Sequence, residues 1–317
     1  MVSPTEYVVS TTFGGISVWD SRGKGPVALL IHGNSACGRV FEKQFASEMR
    51  TKFRLIAMDL PGHGSSENAI NPEETYSFLG YANVAIAVLR NLGVPKASVI
   101  GWSLGGHIAI DMLRFPEIQG ILITGTPPIP LTAEGFKQGF RPFAGLHLLG
   151  QESFSEKEAK EFVALGGIDL KNADFMVKAA LRTHGKARSQ MIASMQRGVG
   201  GDQKQIVEGS DKPIAIVAGS RDAGINNDYI QTGISHKSLW GRKIHLVEAG
   251  HAVFWEQSEK FNRIVFDFLT DVNQLEPSSI PLKRVNRKII ASFTLVIAVA
   301  IIAHFILTLP ATMGANR

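Results

Sequence analysis

The hydrophobic pattern divides the chain into short, wholly apolar runs and longer runs with helical spacing. YVVSTT (7–12) and ISVWD (16–20) flank Gly14-Gly15 and predict a β-hairpin. VALLI (27–31) has no polar position, the pattern of a strand buried on both faces. FRLIAMDL (53–60), ASVIGW (97–102), GILIT (120–124), PIAIVAG (213–219) and IHLVE (244–248) are further strands. Between them lie a mixed helical stretch at 38–50, an amphipathic helix at 75–92 with Leu79, Ala82, Ile86 and Leu89 on one side, a helix starting near Leu104, and a last helix at 256–270. Strands alternating with helices predict a mostly parallel, eight-stranded sheet covered on both faces, an α/β fold.

The alternation breaks at TGTPPIP (124–130), whose three prolines do not suit a central strand. From there to about 210 only helical patterns occur, near 155–165, 172–184 and 187–197. The expected organisation is a core of residues 1–126 and 211–275 with an α-helical cap at 127–210 inserted between two strands. EPSSIP (276–281) opens a linker and basic flank at 276–288. Residues 289–309 then run for 21 positions without a formal charge, about 31 Å as a helix, which matches the hydrocarbon thickness of a bilayer. They predict a C-terminal transmembrane helix, followed by a short tail at 310–317, with the lipid bilayer as a partner. Lys283, Arg284, Arg287 and Lys288 before that run, against Arg317 alone after it, predict a cytoplasmic catalytic domain.

Composition sharpens this. Apolar residues make up 44% of the 317, enough for a sizeable core, and charged residues only 19%. The net charge of +5 comes from the tail, because those five basic residues follow the last acid, Glu276, and the rest of the chain balances. A neutral body argues against nucleic acid as a partner. The single cysteine, Cys37, allows no internal disulfide, and the N-terminus shows no leader pattern. There is no HExxH, cysteine pair or histidine cluster, and no dinucleotide-binding glycine motif, so neither a metal nor a cofactor is expected.

Gly101-Trp102-Ser103-Leu104-Gly105 is a G-x-S-x-G between a strand and a helix, the context in which that motif has a mechanism. It puts Ser103 on a tight turn at the carboxyl end of the sheet, as a candidate nucleophile. His251 follows the strand IHLVE in the loop EAGH and is the candidate base; His107, one helical turn beyond Ser103, is read as structural. Asp222 after PIAIVAGS is the candidate acid, with Asp228 as runner-up, and the order serine, acid, histidine fits this fold. Oxyanion donors are expected from the amide of Leu104 and from that of Asn34 in the loop after VALLI. DLPGHG (59–64) is expected to shape a turn near the site. Trp102, beside the nucleophile, and the cap residues Phe162, Leu165, Phe175 and Met176 are candidates for a pocket taking an apolar acyl chain.

HGNS (32–35), DLPGHG (59–64), GWSLGGH (101–107), ITGTPP (123–128), GQESFSE (150–156), PIAIVAG (213–219) and AGH (249–251) together resemble the metal-independent N-acyl-homoserine lactone hydrolases of the α/β-hydrolase superfamily. The resemblance spans roughly residues 5–271. It implies an α/β-hydrolase fold, lactone ring opening without a metal, and Asn34, Ser103 and His251 as active-site residues. Two departures stand out. Where those lactonases carry a glutamate acid after the position of Asp222, this chain has Ala223, and where they carry a tyrosine over the substrate, it has Phe162. The expected activity is hydrolysis of a carboxylic ester or lactone through an acyl-enzyme. A carboxylesterase or lipase, a carbon–carbon bond hydrolase and a non-enzymatic binding protein on the same scaffold are the alternatives.

Overall fold

A computed structural model describes residues 4–274, apart from 236 and 238. All of these belong to one compact unit, Met1–Leu275.

Eight strands form one sheet: β1 (Thr5–Thr11), β2 (Gly14–Asp20), β3 (Val27–Ile31), β4 (Arg54–Met58), β5 (Ala97–Trp102), β6 (Ile118–Thr124), β7 (Ile214–Gly219) and β8 (His245–Val247). Their order across the sheet is β1-β2-β4-β3-β5-β6-β7-β8. β1 and β2 are antiparallel, β2 pairs antiparallel with β4, and every later pairing is parallel. The wholly apolar runs became the central strands because those are covered on both faces. Every residue of β5 and β7 is buried. The first hairpin turns at Thr12-Phe13, two residues before the expected glycines; Gly14 is already paired with Thr11, at a φ of 110° that suits glycine.

The main helices are α1 (Phe78–Asn91), α2 (Leu104–Met112), α3 (Ala133–Gly139), α4 (Glu156–Leu165), α5 (Asp174–Arg182), α6 (Gly185–Gln196), α7 (Gln203–Gly209) and α8 (Ser258–Val272). α3 to α7 all lie between β6 and β7, the stretch expected to be helical. Of these, α3 and α7 went unpredicted because seven residues carry too few turns to show a period. The start of α4 explains part of the GQESFSE motif. Ser155 and Glu158 form a reciprocal capping box, and Gln151 also donates to Glu158 at 2.8 Å.

The C-terminal transmembrane helix requires correction. Among the described residues no helix is long and apolar enough to cross a membrane. The longest, α8, has 15 residues, about 22 Å against a hydrocarbon thickness of about 30 Å. It is also two-faced, with Phe261, Val265 and Leu269 buried and Lys260 and Arg263 exposed. The run 289–309 that prompted the expectation lies outside the described residues. An uncharged run of bilayer length is a property of composition, whereas a span is a helix in place. The fold class that the described residues show is the eight-stranded α/β architecture, and the bilayer partner and the membrane and cytoplasmic assignments are withdrawn.

Candidate active site

β3, β5, β6, β7 and β8 run parallel, so the loops after them gather at one edge of the sheet, where ligands of open α/β sheets bind. Ser103 stands between β5 and α2 with φ 55° and ψ −116°, a backbone conformation that costs a non-glycine residue about 1–3 kcal/mol. It is held there from both sides. The Ser103 amide donates to the Thr124 carbonyl at 2.9 Å, and the Thr126 hydroxyl donates to the Ser103 carbonyl at 2.9 Å. The flanking glycines are required by contact. A Cβ at Gly101 would lie 2.2 Å from the Gly105 carbonyl oxygen, and one at Gly105 would lie 2.0 Å from that of Ile31.

His251 and Asp222 meet. His251 Nδ1 and Asp222 Oδ2 are 2.7 Å apart, and the other Asp222 oxygen accepts from the Gly224 amide at 3.0 Å. Burial alone would raise the Asp222 pKa. The charge and hydrogen bond of His251, with the Gly224 and Ile225 amides, outweigh it and hold the carboxyl below its ordinary value. The runner-up Asp228 does not reach His251. It is exposed and pairs with Arg141 at 3.4 Å. His107 stacks on Phe78 with ring centroids 4.8 Å apart, its Nδ1 is 2.6 Å from the Gln203 side-chain oxygen, and burial lowers its pKa to about 4.

The loop after β3 is set by two buried histidine contacts. The Leu60 amide donates to His32 Nε2 at 3.0 Å, which leaves Nδ1 as the protonated nitrogen, 2.7 Å from the Gly33 carbonyl. Burial keeps this imidazole neutral, its pKa about 4. A trans peptide points its C=O and N–H in opposite directions, so fixing the Gly33 carbonyl aims the Asn34 N–H away from His32. Among the described residues, neither the Asn34 nor the Leu104 N–H is taken by a protein acceptor. DLPGHG holds this arrangement from below: Asp59 accepts from the Gly38 and Ser65 amides, both at 2.6 Å.

Ser103, His251, Asp222, Asn34, Trp102 and Phe162 all line one cavity of about 410 Å³, whose walls are mainly apolar. Leu165 and Met176 line it too, whereas Phe175 packs against Trp255 instead. The Trp102 indole donates to the His251 carbonyl at 3.1 Å. Ser103 and His251 share the cavity without a hydrogen bond between them in this structure; such bonds are often long before substrate arrives. Among the described residues no three His, Cys, Asp or Glu side chains group to hold a metal ion.

Sequence reasoning missed three supports. Glu256 grips the Gly250 amide with both carboxylate oxygens, at 2.9 and 3.0 Å, and so steadies the residue before His251. Gly125 makes room for the imidazole, since a Cβ there would lie 2.7 Å from His251 Cε1. Arg188 is buried on α6 beside the Asn34 loop. Only Gly125, inside the ITGTPP run, left a trace in a motif; Glu256 acts on a near neighbour through a loop that carries no period, and Arg188 acts across the fold.

Residues 28–264 match the model of the alpha/beta hydrolase family. This chain belongs to that family. The N-acyl homoserine lactonase AidH, in a glutamate-to-glycine variant complexed with N-hexanoyl homoserine, is similar at 38% identity, covering 87% of this chain and all of that one, with a TM-score of 0.83. A 2-hydroxy-6-oxononadienedioate/2-hydroxy-6-oxononatrienedioate hydrolase from Burkholderia vietnamiensis is 25% identical over 79% of this chain and 90% of its own length. A pimeloyl-[acyl-carrier protein] methyl ester esterase from Neisseria meningitidis is 26% identical over 77% of this chain and 93% of its own. As a member of the alpha/beta hydrolase family, the chain is a hydrolase.

Proposed function

We propose that this hydrolase opens the lactone ring of N-acyl homoserine lactones through a serine acyl-enzyme. The observation that carries the proposal is the convergence of a strained Ser103, a hydrogen-bonded His251–Asp222 pair and Asn34 on one largely apolar cavity, with the N–H groups of Asn34 and of Leu104, next to Ser103 in the chain, taken by no protein acceptor among the described residues. Likeness to the lactonase AidH along nearly the whole described chain supports the substrate class.

His251 Nε2 takes the Ser103 proton as Oγ bonds to the lactone carbonyl carbon. The carbonyl oxygen becomes an oxyanion between the Asn34 and Leu104 N–H groups. When the tetrahedral centre collapses, the ring C–O bond breaks and His251 returns its proton to the departing alkoxide, which stays tethered in the acyl-enzyme. Water then gives a proton to His251, adds to the acyl carbon and releases the ring-opened acid, while Ser103 regains its proton. Asp222 holds the imidazole in the tautomer that leaves Nε2 free to accept. The apolar walls, Phe162 and Met176 among them, take the acyl chain, each buried methylene contributing about 0.8 kcal/mol.

The test compares kcat/KM for acyl-homoserine lactones and for linear esters of matching chain length. Lactone opening that improves with chain length is expected. Robust ester turnover with no lactone opening at any length would leave a carboxylesterase in its place.

A further inference from the structure

Arg188 heads the largest side chains with almost no exposure, at 1%. A buried guanidinium is costly unless its donors are satisfied. Here they are met by oxygens that carry no formal charge. Nε donates to the Gln151 carbonyl, Nη2 to the Glu152 carbonyl at 2.7 Å, and Nη1 to the Ala180 carbonyl and the Ser35 hydroxyl, both at 3.2 Å. The Phe154 ring lies against it, 4.1 Å from Cζ to centroid.

The Ser35 contact has a directional consequence. A guanidinium only donates, so the Ser35 oxygen accepts and its own proton must go elsewhere. It goes to Asn34 Oδ1, 3.1 Å away. That decides which end of the Asn34 carboxamide faces Ser35. The oxygen does, and the NH₂ faces the other way, with one proton on the Leu149 carbonyl at 2.9 Å. The second proton has no protein acceptor among the described residues, and Asn34 lines the cavity with Ser103. Ser35 itself sits at φ 57°, so the hydroxyl is presented at some backbone cost.

We propose that Arg188 is a positioning residue which, through the Ser35 hydroxyl, orients the Asn34 carboxamide so that its free Nδ2–H points at the carbonyl oxygen attacked by Ser103. This rests on the reading above that Asn34 borders the reacting carbonyl. It gives the buried cation a task beyond tying α6 to the loops at 149–152 and 33–36, and predicts an effect on turnover more than on binding, because the acceptor gains charge in the transition state.

The experiment is a double-mutant cycle on Ser35→Gly and Asn34→Ala, read with both N-hexanoyl homoserine lactone and p-nitrophenyl acetate, so that it does not depend on the lactone assignment. Ser35→Gly suits the left-handed backbone and removes only the hydroxyl. It is expected to lower kcat roughly ten- to hundredfold, with KM within about twofold and the folded state retained, the lost contact to Arg188 being offset in part by relief of the left-handed backbone. Asn34→Ala is expected to cost at least as much, and adding Ser35→Gly to it is expected to cost nothing more. Arg188→Met, if folded, should match Ser35→Gly; if it does not fold, the cycle decides alone. Equal losses from Ser35→Gly with and without Asn34 would make the contact merely structural and overturn the proposal, as would an effect confined to KM. A full rate for Asn34→Ala beside a dead Ser103→Ala would overturn the proposal while leaving the serine mechanism intact. An active Ser103→Ala would instead remove the reading on which it rests.

Discussion

At the scale of single residues, the most informative contact is the 2.7 Å bond between Asp222 and His251. Asp222→Asn is expected to keep the fold and to lower kcat by roughly 10²–10⁴-fold, since the amide no longer holds the productive tautomer. Asp228→Asn, on an exposed side chain that pairs with Arg141, is expected to stay within about twofold of the parent. Steady-state kinetics of the two purified variants decide between them, and a reversed order would reassign the acid. The same carboxyl makes a pH prediction. Its folded pKa lies below its ordinary value, so between the two values the unfolded chain binds more protons. The stability it contributes is therefore complete above the ordinary carboxylate range and is lost as the pH falls through the folded value. Urea titrations should find the parent more stable than Asp222→Asn at neutral pH, with the gap narrowing as the pH falls below the ordinary carboxylate range. A gap that widens on acidification would mean the carboxyl is not ionised in the fold.

At the scale of elements, the β5–α2 junction concentrates the demands. α2 begins one residue after a buried strand ends, which leaves Ser103 to absorb the whole change of direction. The crossing is so close that Gly105 touches the end of β3. Gly105→Ala is expected to destabilise the fold by about 3 kcal/mol and to lose activity with it, because the obstructing atom is the backbone oxygen of Ile31 and no rotamer relieves the clash. A denaturation midpoint unchanged from the parent would show that the junction relaxes. This element was legible in advance, since a strand, a glycine-flanked serine and a helix are neighbours in the chain. The Asn34 loop was legible only in part. Its glycine and asparagine follow a clear strand, but the forces that aim it come from His32 against Leu60 and from Arg188 against Ser35. No local period reveals those partners.

At the scale of the whole molecule, the sheet order brings together loops that the chain keeps far apart. Asn34, Ser103, Asp222 and His251 follow four different strands, β3, β5, β7 and β8, yet share one cavity because those strands run parallel. The helical stretch between β6 and β7 supplies the apolar part of that cavity through Phe162, Leu165 and Met176. These residues and the core belong to one compact unit ending at Leu275. A chain ending at 275 is accordingly expected to unfold in one cooperative transition with the full chain's kcat. Two transitions, or a kcat lowered more than about fivefold, would mean that residues after 275 support the site.

The hydrophobic runs alone were sufficient for the eight strands and for the three longer inserted helices, α4 to α6, because a strand buried on both faces must be apolar throughout and those helices need only one apolar side. The G-x-S-x-G in its strand-turn-helix setting likewise marked the tight β5–α2 turn, where Ser103 has its strained backbone. Three matters were decided only by packing. Asp222 reaches His251 while Asp228 does not, though six residues apart, because strand β7 ends beside β8 and the chain then turns outward. The hairpin turns at Thr12-Phe13 because pairing register, set by the neighbouring strand, outranks the local preference of glycine. Arg188 is buried because the carbonyls of Gln151 and Glu152, in a loop far along the chain, and that of Ala180 on α5 converge on it, a coincidence of position that a one-dimensional pattern cannot encode.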